Sequence, residues 1–504
     1  MTESSGIERC STGIGGFDRI ALGGLPLGRA ALVTGTTGSG KTLFAVEFLA
    51  RGILHTDARG VFVTFEETPS DIRRNFASLG FPIERWESEG KWVFVDASAG
   101  ILEEAPVIGA YDFGGLVARI GHAVRTIGAT RVSLDSLGSV FTRFADLGIV
   151  RHEVARIADA LQQIGVTAVV TAERSNEYDH ISRYGVEEFV LDNVIILRNV
   201  LEHERRRRTV EIVKLRGAPH RTGEWLFTID PEDGIVVIPL AFLTPRGQAS
   251  LTRVSSGNAG LDEMCGGGFF EDATILLTGP SGSGKTLTSL KFMASAVAAG
   301  EPCLVFAFDE TREQLGRNAA GWGIDLDAME TSGLLYVVCD YPEVASLEDH
   351  FLRIRRAIEE FKPDRLVIDS VSALERIVSP RALLDFVIAL GAVVRQHGVT
   401  TLLTSAPSGR FTPLLTPAIA AEIASLTDVT IALCYFEREG EVQRAIGVLQ
   451  TRGSAHDPSV RHVTIDAQGM HIGERLIGTG FLAGLPGTLA WPAAQPGSQG
   501  PSAR

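Results

Sequence analysis

A chain of 504 residues is too long for one ordinary hydrophobic core and calls for more than one domain. With 45% hydrophobic and 21% charged residues, and no run of about 18 uncharged apolar residues, it does not fit a membrane-spanning class. A formal net charge of −14 counts against a protein that holds duplex DNA by neutralising phosphates, so nucleic acid is not an expected partner.

The first residues, MTESSGIERC, lack a basic segment leading into an apolar one, so no secretory signal is expected and the cytoplasm is the default compartment. Cys10, Cys265, Cys303, Cys339 and Cys434 have the spacing of neither a zinc site nor a disulfide framework. An apolar run at 30–33 leads into GTTGSGKT, made of Gly35, Thr36, Thr37, Gly38, Ser39, Gly40, Lys41 and Thr42, and a helical pattern starts at the lysine. A strand feeding a glycine-rich loop at a helix N-terminus is the phosphate-loop arrangement. Its backbone N–H groups cradle phosphates, its lysine reaches the terminal ones, and its hydroxyl ligates Mg²⁺.

The next strand, in FVTFEETPSDIRRN, ends in Glu66 and Glu67. Adjacent carboxylates at a strand's C-terminal edge suit a general base; helix capping is the alternative, which Thr68 fits better. Amphipathic helices are expected at 117–127 and 154–164. Between them RVSLD ends in Asp135, which is either a turn former or, given the loop upstream, the aspartate that fixes a metal. The segments 194–197, 209–215, 225–228 and 235–238 read as added antiparallel strands. On one of them Lys214 and Arg216 flank Leu215 and share a face. The basic run at 205–208 follows Glu202 and Glu204 and reads as a solvated hairpin tip or subunit contact rather than a nucleic-acid site.

After a seam at 239–250 the pattern repeats. STGIGGFDRIALGG from Ser11 returns as SSGNAGLDEMCGGG from Ser255. The loop returns as GPSGSGKT, with Gly279, Ser281, Gly282, Ser283, Gly284, Lys285 and Thr286. The paired acids return as Asp309 and Glu310, the capping threonine as Thr311, the strand-terminal aspartate as Asp369, and VKLRG as LQTRG. A duplicated domain of about 240 residues explains this period, which is too long for a solenoid. The expected fold is α/β, with two tandem parallel sheets flanked by helices and carrying added antiparallel strands. The boundaries are 1–245 and 246–477, followed by a Gly/Pro-rich, disordered tail at 478–504.

The flanks of the loops, among them GGLPLG, VFVTFEETP, SRYGVEEF, NVLEHERRRRTVEIVKLRG and VSSGNAGLDEMCGGGFF, closely resemble the KaiC family of double-domain RecA-like ATPases of the cyanobacterial circadian clock. The resemblance covers about residues 7 to 470. It implies a homo-hexamer of two stacked rings with ATP at subunit interfaces, hydrolysing ATP in the first ring and acting as autokinase and autophosphatase in the second. KaiB is the implied partner of the first ring and KaiA of the second.

Carried over by residue, the first site uses the loop with Lys41, Thr42 on Mg²⁺, Glu66 and Glu67 as catalytic acids, and Ser78 near the nucleotide. Lys214, Leu215, Arg216 and His220 would approach from an adjacent subunit. The second uses its loop with Lys285, catalytic Asp309 and Glu310, Thr286, Asp309 and Asp369 at the metal, and Trp322 at the nucleotide, with Arg444 and Arg452 crossing the interface.

The second copy departs from the family at three kinase positions. The acceptor pair is Ala424 and Ser425, leaving Ser425 as the phosphoacceptor; the presumed base is Asp309 rather than Glu; and Gln450 replaces a lysine. The tail has little helix propensity, so KaiA is not an expected partner. The expected function is an ATPase with a serine autokinase ring in circadian or timer-like signalling. Alternatives are a nucleotide-gated scaffold for KaiB-like proteins and for response-regulator or histidine-kinase output proteins, and, less in keeping with the charge, a DNA motor.

Overall fold

The computed structural model describes residues 7–97, 113–138, 147–178, 181–182, 187–202, 205–238, 250–406, 418–438 and 440–477. The core of the SRYGVEEF stretch (183–186), most of the seam (239–249) and the Gly/Pro-rich tail (478–504) lie outside them. The chain divides into two compact units, Met1–Phe242 and Leu243–Arg504.

In the first unit one nine-stranded sheet runs in the order Gly234–Val237, Glu224–Asp230, Arg205–Leu215, Asn193–Glu202, Ala30–Gly35, Thr167–Glu173, Arg131–Asp135, Gly60–Thr64, Trp92–Asp96. The phosphate-loop strand Ala30–Gly35 is central because it is apolar on both faces. Ala31 and Val33 enter one core with Phe44 and Phe48 of the helix Lys41–Thr56, while Ala30 and Leu32 enter the other with Val154 and Leu161 of the helix Leu147–Ile164. The expected helices are present, within Phe113–Ile127 and Leu147–Ile164. Thr68 caps the helix Pro69–Ala77 by accepting from the Asp71 amide, and Thr311 forms a capping box with Gln314.

One expectation about the sheet needs correction. The segment 194–197 does not begin an antiparallel addition: Asn193–Glu202 lies parallel to the phosphate-loop strand, and only the three strands after it alternate in direction. Its run NVIIL is buried on both faces, as in a parallel interior strand, and the expectation overlooked that pattern.

The second unit repeats this topology. Its order is Leu335–Cys339, Cys303–Ala307, Arg365–Asp369, Thr400–Ser405, Thr274–Thr278, Val429–Arg438, Glu441–Thr451, Arg461–Asp466, Gly469–Arg475. Both units bury an arginine at the start of the metal-type strand. Arg131 donates to the carbonyls of Phe48 (2.7 Å) and Ser11 (2.8 Å), and Arg365 to that of Ser255 (2.7 Å). These bonds tie the N-terminal segment of each copy to the helix behind its loop.

Candidate nucleotide sites

Each phosphate loop is shaped by glycines that a side chain would spoil. Gly38 and Gly40 have φ of +76° and +98°, and a Cβ on Gly35 would lie 2.3 Å from both the Ser39 hydroxyl and the Leu197 carbonyl. The helices Lys41–Thr56 and Lys285–Ala298 start without a side-chain cap, leaving first-turn N–H groups for an anion. Lys41 donates to the Thr36 carbonyl at 2.9 Å, and Lys285 to those of Gly279 (2.7 Å) and Pro280 (3.0 Å). Burial lowers the pKa of both ammonium groups. The buried hydroxyl oxygens of Ser39 and Ser283 have no hydrogen-bond partner among the described residues. Turned-in lysines and orphaned hydroxyls fit a phosphate chain that would take up both.

Beside each loop stands a buried threonine–aspartate pair. Asp135 accepts from Thr171 and Thr42, and Asp369 accepts from Thr404 (2.5 Å) and Thr286. Burial pushes both carboxyls above the usual range. No cluster of three His, Cys, Asp or Glu able to hold a metal occurs among the described residues. Mg²⁺ at a nucleotide needs no such cluster, since one or two protein oxygens plus phosphates and water complete its shell. The donor set therefore fits Mg²⁺ carried by a nucleotide.

The paired acids are held in matching ways. Ser136 donates to Glu66 (3.1 Å) and Asn75 to Glu67 (3.1 Å); Ser370 donates to Asp309 (3.3 Å) and Asn318 to Glu310 (3.1 Å). Burial raises the Glu310 pKa. Sequence reasoning missed these serines and asparagines, as well as Thr171 and Thr404. The signal was their recurrence in both copies, after Asp135 and Asp369 and at the ends of the IRRN and LGRN stretches. It also missed Arg376, which binds Asp309 (2.8 Å) and Glu343 (2.9 Å). Ser78 donates to the Asn75 carbonyl at 3.0 Å, one step from Glu67.

In the second unit the loop residues Lys285 and Thr286, the acids Asp309, Glu310 and Asp369, and Trp322 share a cavity of about 700 Å³. Arg444, expected from across an interface, stands in this same cavity: its Nε donates to the Gly282 carbonyl of its own chain at 3.2 Å. Tyr435, over which its guanidinium lies at 5.5 Å, holds it there.

The remaining predicted residues lie at the other end of each sheet. Leu215 pairs with Asn193 and Asn193 with Ala31, whereas Gly35, where the loop begins, pairs with Leu197. Four residues of strand, about 13 Å, separate those levels, so the structure does not bring Lys214, Leu215, Arg216 and His220 to the loop of their own chain. Lys214 is half-buried, which lowers its pKa; Arg216 pairs with Asp192 at 3.2 Å; and the buried His220 Nδ1 has no hydrogen-bond partner among the described residues. In the second unit Thr451 pairs with Val429 and Val429 with Ile275, again the far end. There Arg452 donates to the Ser425 carbonyl and Gln450 to that of Thr427 (3.4 Å). Ser425 is exposed, with its hydroxyl on the Glu422 carbonyl at 2.7 Å. The basic run opens the strand Arg205–Leu215, where Arg205 is paired with Glu202 and Arg207 forms an ion pair with that glutamate at 3.3 Å.

Two mixed, mostly parallel sheets, each with a phosphate loop at the end of its central strand beside a threonine–aspartate pair and a carboxylate pair, define a tandem RecA-like P-loop ATPase. The family model described as the KaiC ATPase matches residues 10–241 and again 254–477, and the chain belongs to the KaiC family. It is 51% identical over 488 residues to the circadian clock protein KaiC3 of Synechocystis sp., covering 96% of this chain and 95% of that one. To the circadian clock oscillator protein KaiC of Synechococcus elongatus it is 48% identical over 471 residues, 94% and 90% of the two chains. To that of Parathermosynechococcus lividus it is 47% identical over 473 residues, 94% and 86%. Among the described residues no helix is long and apolar enough to cross a membrane.

Proposed function

We propose that the chain works as a ring-shaped homo-hexamer in which the first unit hydrolyses ATP and the second transfers the γ-phosphoryl group of ATP to Ser425, in circadian or timer-like signalling. The observation that carries this reading is the strand register: loop and acids stand at one end of each sheet, and the acceptor with the candidate cations other than Arg444 at the other. A site assembled from both ends needs a second copy of the chain. Closed cyclic symmetry is how copies of one chain supply such an end to every neighbour.

At the first site Gly35 to Thr42 would hold the phosphates and Thr42 with Asp135 the Mg²⁺, which when bound neutralises charge on the phosphate oxygens. Glu66 or Glu67 takes a proton from water, and a neighbour's Lys214 and Arg216 face the developing charge. At the second site Lys285, Thr286, Asp309 and Asp369 take the corresponding places, Trp322 and Arg444 flank the nucleotide, and a neighbour brings Ser425 with Arg452. KaiB-like protein is the proposed partner of the first ring. KaiA is not proposed as a partner.

A second reading keeps the second unit as a nucleotide-bound platform for response-regulator or histidine-kinase output proteins. It is favoured by Arg376, whose ion pair occupies the presumed base Asp309. Peptide mapping after incubation with Mg-ATP, beside a Ser425→Ala control, separates the two. Phosphate on Ser425 establishes the autokinase; its absence with hydrolysis intact establishes the platform.

A further inference from the structure

The two sites differ at one position that neither the paired acids nor the loop explains. Thr171 and Thr404 hold Asp135 and Asp369 from the neighbouring strand, and two residues further on stand Glu173 in the first copy and Ala406 in the second. Glu173 is paired with Gly35, where the phosphate loop starts. Ala406 lines the second cavity together with Asp309, Glu310 and Asp369, so this strand end belongs to the site.

A second exchange accompanies the first. Glu173 Cγ lies 3.9 Å from where a Cβ on Gly138 would stand, an ordinary contact distance that puts the two residues side by side. In the second copy the matching position is Ser372, whose hydroxyl takes the Ala406 amide (3.0 Å) and bonds the Ser370 hydroxyl (2.9 Å), the same Ser370 that supports Asp309. The first site thus has glycine with glutamate where the second has serine with alanine. Of the acids whose charge acts on Lys41, Glu173 acts most strongly.

We propose that Glu173 holds the attacking water of the first site and closes that position to a protein hydroxyl, and that Ala406 with Ser372 leaves it open in the second. This rests on the hydrolase and autokinase reading above and says what divides the two activities. In the first site the water oxygen bonds to the γ-phosphorus as the bond to the β–γ bridging oxygen breaks and its electrons leave with ADP. One water proton passes to Glu66 or Glu67, while Glu173 accepts the other O–H as a hydrogen bond. In the second site the Ser425 hydroxyl stands in place of water and its proton passes to Asp309.

The test uses the full chain. In a Lys285→Ala background, which silences the second site, Glu173→Ala should lower kcat for ATP hydrolysis by about tenfold or more with KM within about twofold, while Glu173→Gln, which keeps an acceptor oxygen, retains most of the rate. A Glu173 that serves only as counter-ion to Lys41 would instead change KM and spare kcat, and that result overturns the proposal. Separately, Ala406→Glu should cut transfer to Ser425 by about tenfold or more with nucleotide still bound; undiminished transfer also overturns it. If the parent chain never acquires phosphate on Ser425, the autokinase reading fails, and the hydrolysis experiment alone decides the role of Glu173.

Discussion

Glu47 should make the first unit less stable as pH rises, and Glu47→Gln should abolish that dependence. The residue sits in the helix behind the first phosphate loop with a fully buried side chain, accepting from the Ile235 amide (2.7 Å) and pairing with Arg51 (3.3 Å). Burial, only partly offset by these two partners, pushes its pKa up to about 7 from 4.5. Between those values the folded chain binds the proton and the unfolded chain does not. The stability is therefore full below 4.5 and is lost as pH rises through 7. At about 1.4 kcal/mol per pH unit the whole effect is about 3 kcal/mol, of which about 2.5 falls between pH 5 and pH 8. Glutamine keeps the acceptor for Ile235 without the charge. Urea unfolding of the full chain, resolved by pulsed hydrogen exchange of first-unit peptides, compares the parent and Glu47→Gln at pH 5 and pH 8. The parent should lose about 2 to 3 kcal/mol more than the variant over that interval. Parallel pH profiles for the two would refute the reasoning.

Three further outcomes are expected. Lys41→Ala should remove most ATP hydrolysis while leaving any phosphate transfer to Ser425, and Lys285→Ala should do the reverse; steady-state phosphate release and peptide mapping read the two. Removing nucleotide should loosen the proposed hexamer, because a ligand held between subunits at a hundredfold its dissociation constant contributes about 2.7 kcal/mol per site, a shift that analytical ultracentrifugation detects. Arg131→Ala should cost about 3 to 5 kcal/mol, since it removes two charge-assisted hydrogen bonds, the one to the Phe48 carbonyl buried, as urea unfolding would measure.

Most of the scaffold was legible because it is local. The two loops, the helices that start at Lys41 and Lys285, the caps Thr68 and Thr311 and the strand-terminal Asp135 and Asp369 depend on residues close in sequence, where glycine, hydroxyl and alternation patterns act. What could not be read depends on strand order. The direction of Asn193–Glu202 is set by its neighbour Ala30–Gly35, more than 150 residues earlier. The seating of Arg444 in its own cavity follows from a hairpin register that places it opposite Tyr435. Arg376 was invisible because its partners, Asp309 and Glu343, come from other segments that only the folded sheet brings together.

The same register gives the duplicated fold its functional logic. A strand that carries a cation or an acceptor to the far end of its own sheet cannot serve the loop beside it, so in the proposed ring each copy would be a donor to one neighbour and a recipient from another. The division of chemistry then needs few substitutions. The parallel strands place the aspartate and its threonine alike in both copies, and in the proposal above the exchange of Gly138 with Glu173 for Ser372 with Ala406 changes the ground where the attacking oxygen would stand. Duplication supplied two similar frames, and the strand end next to the phosphate loop is one of the places where they differ.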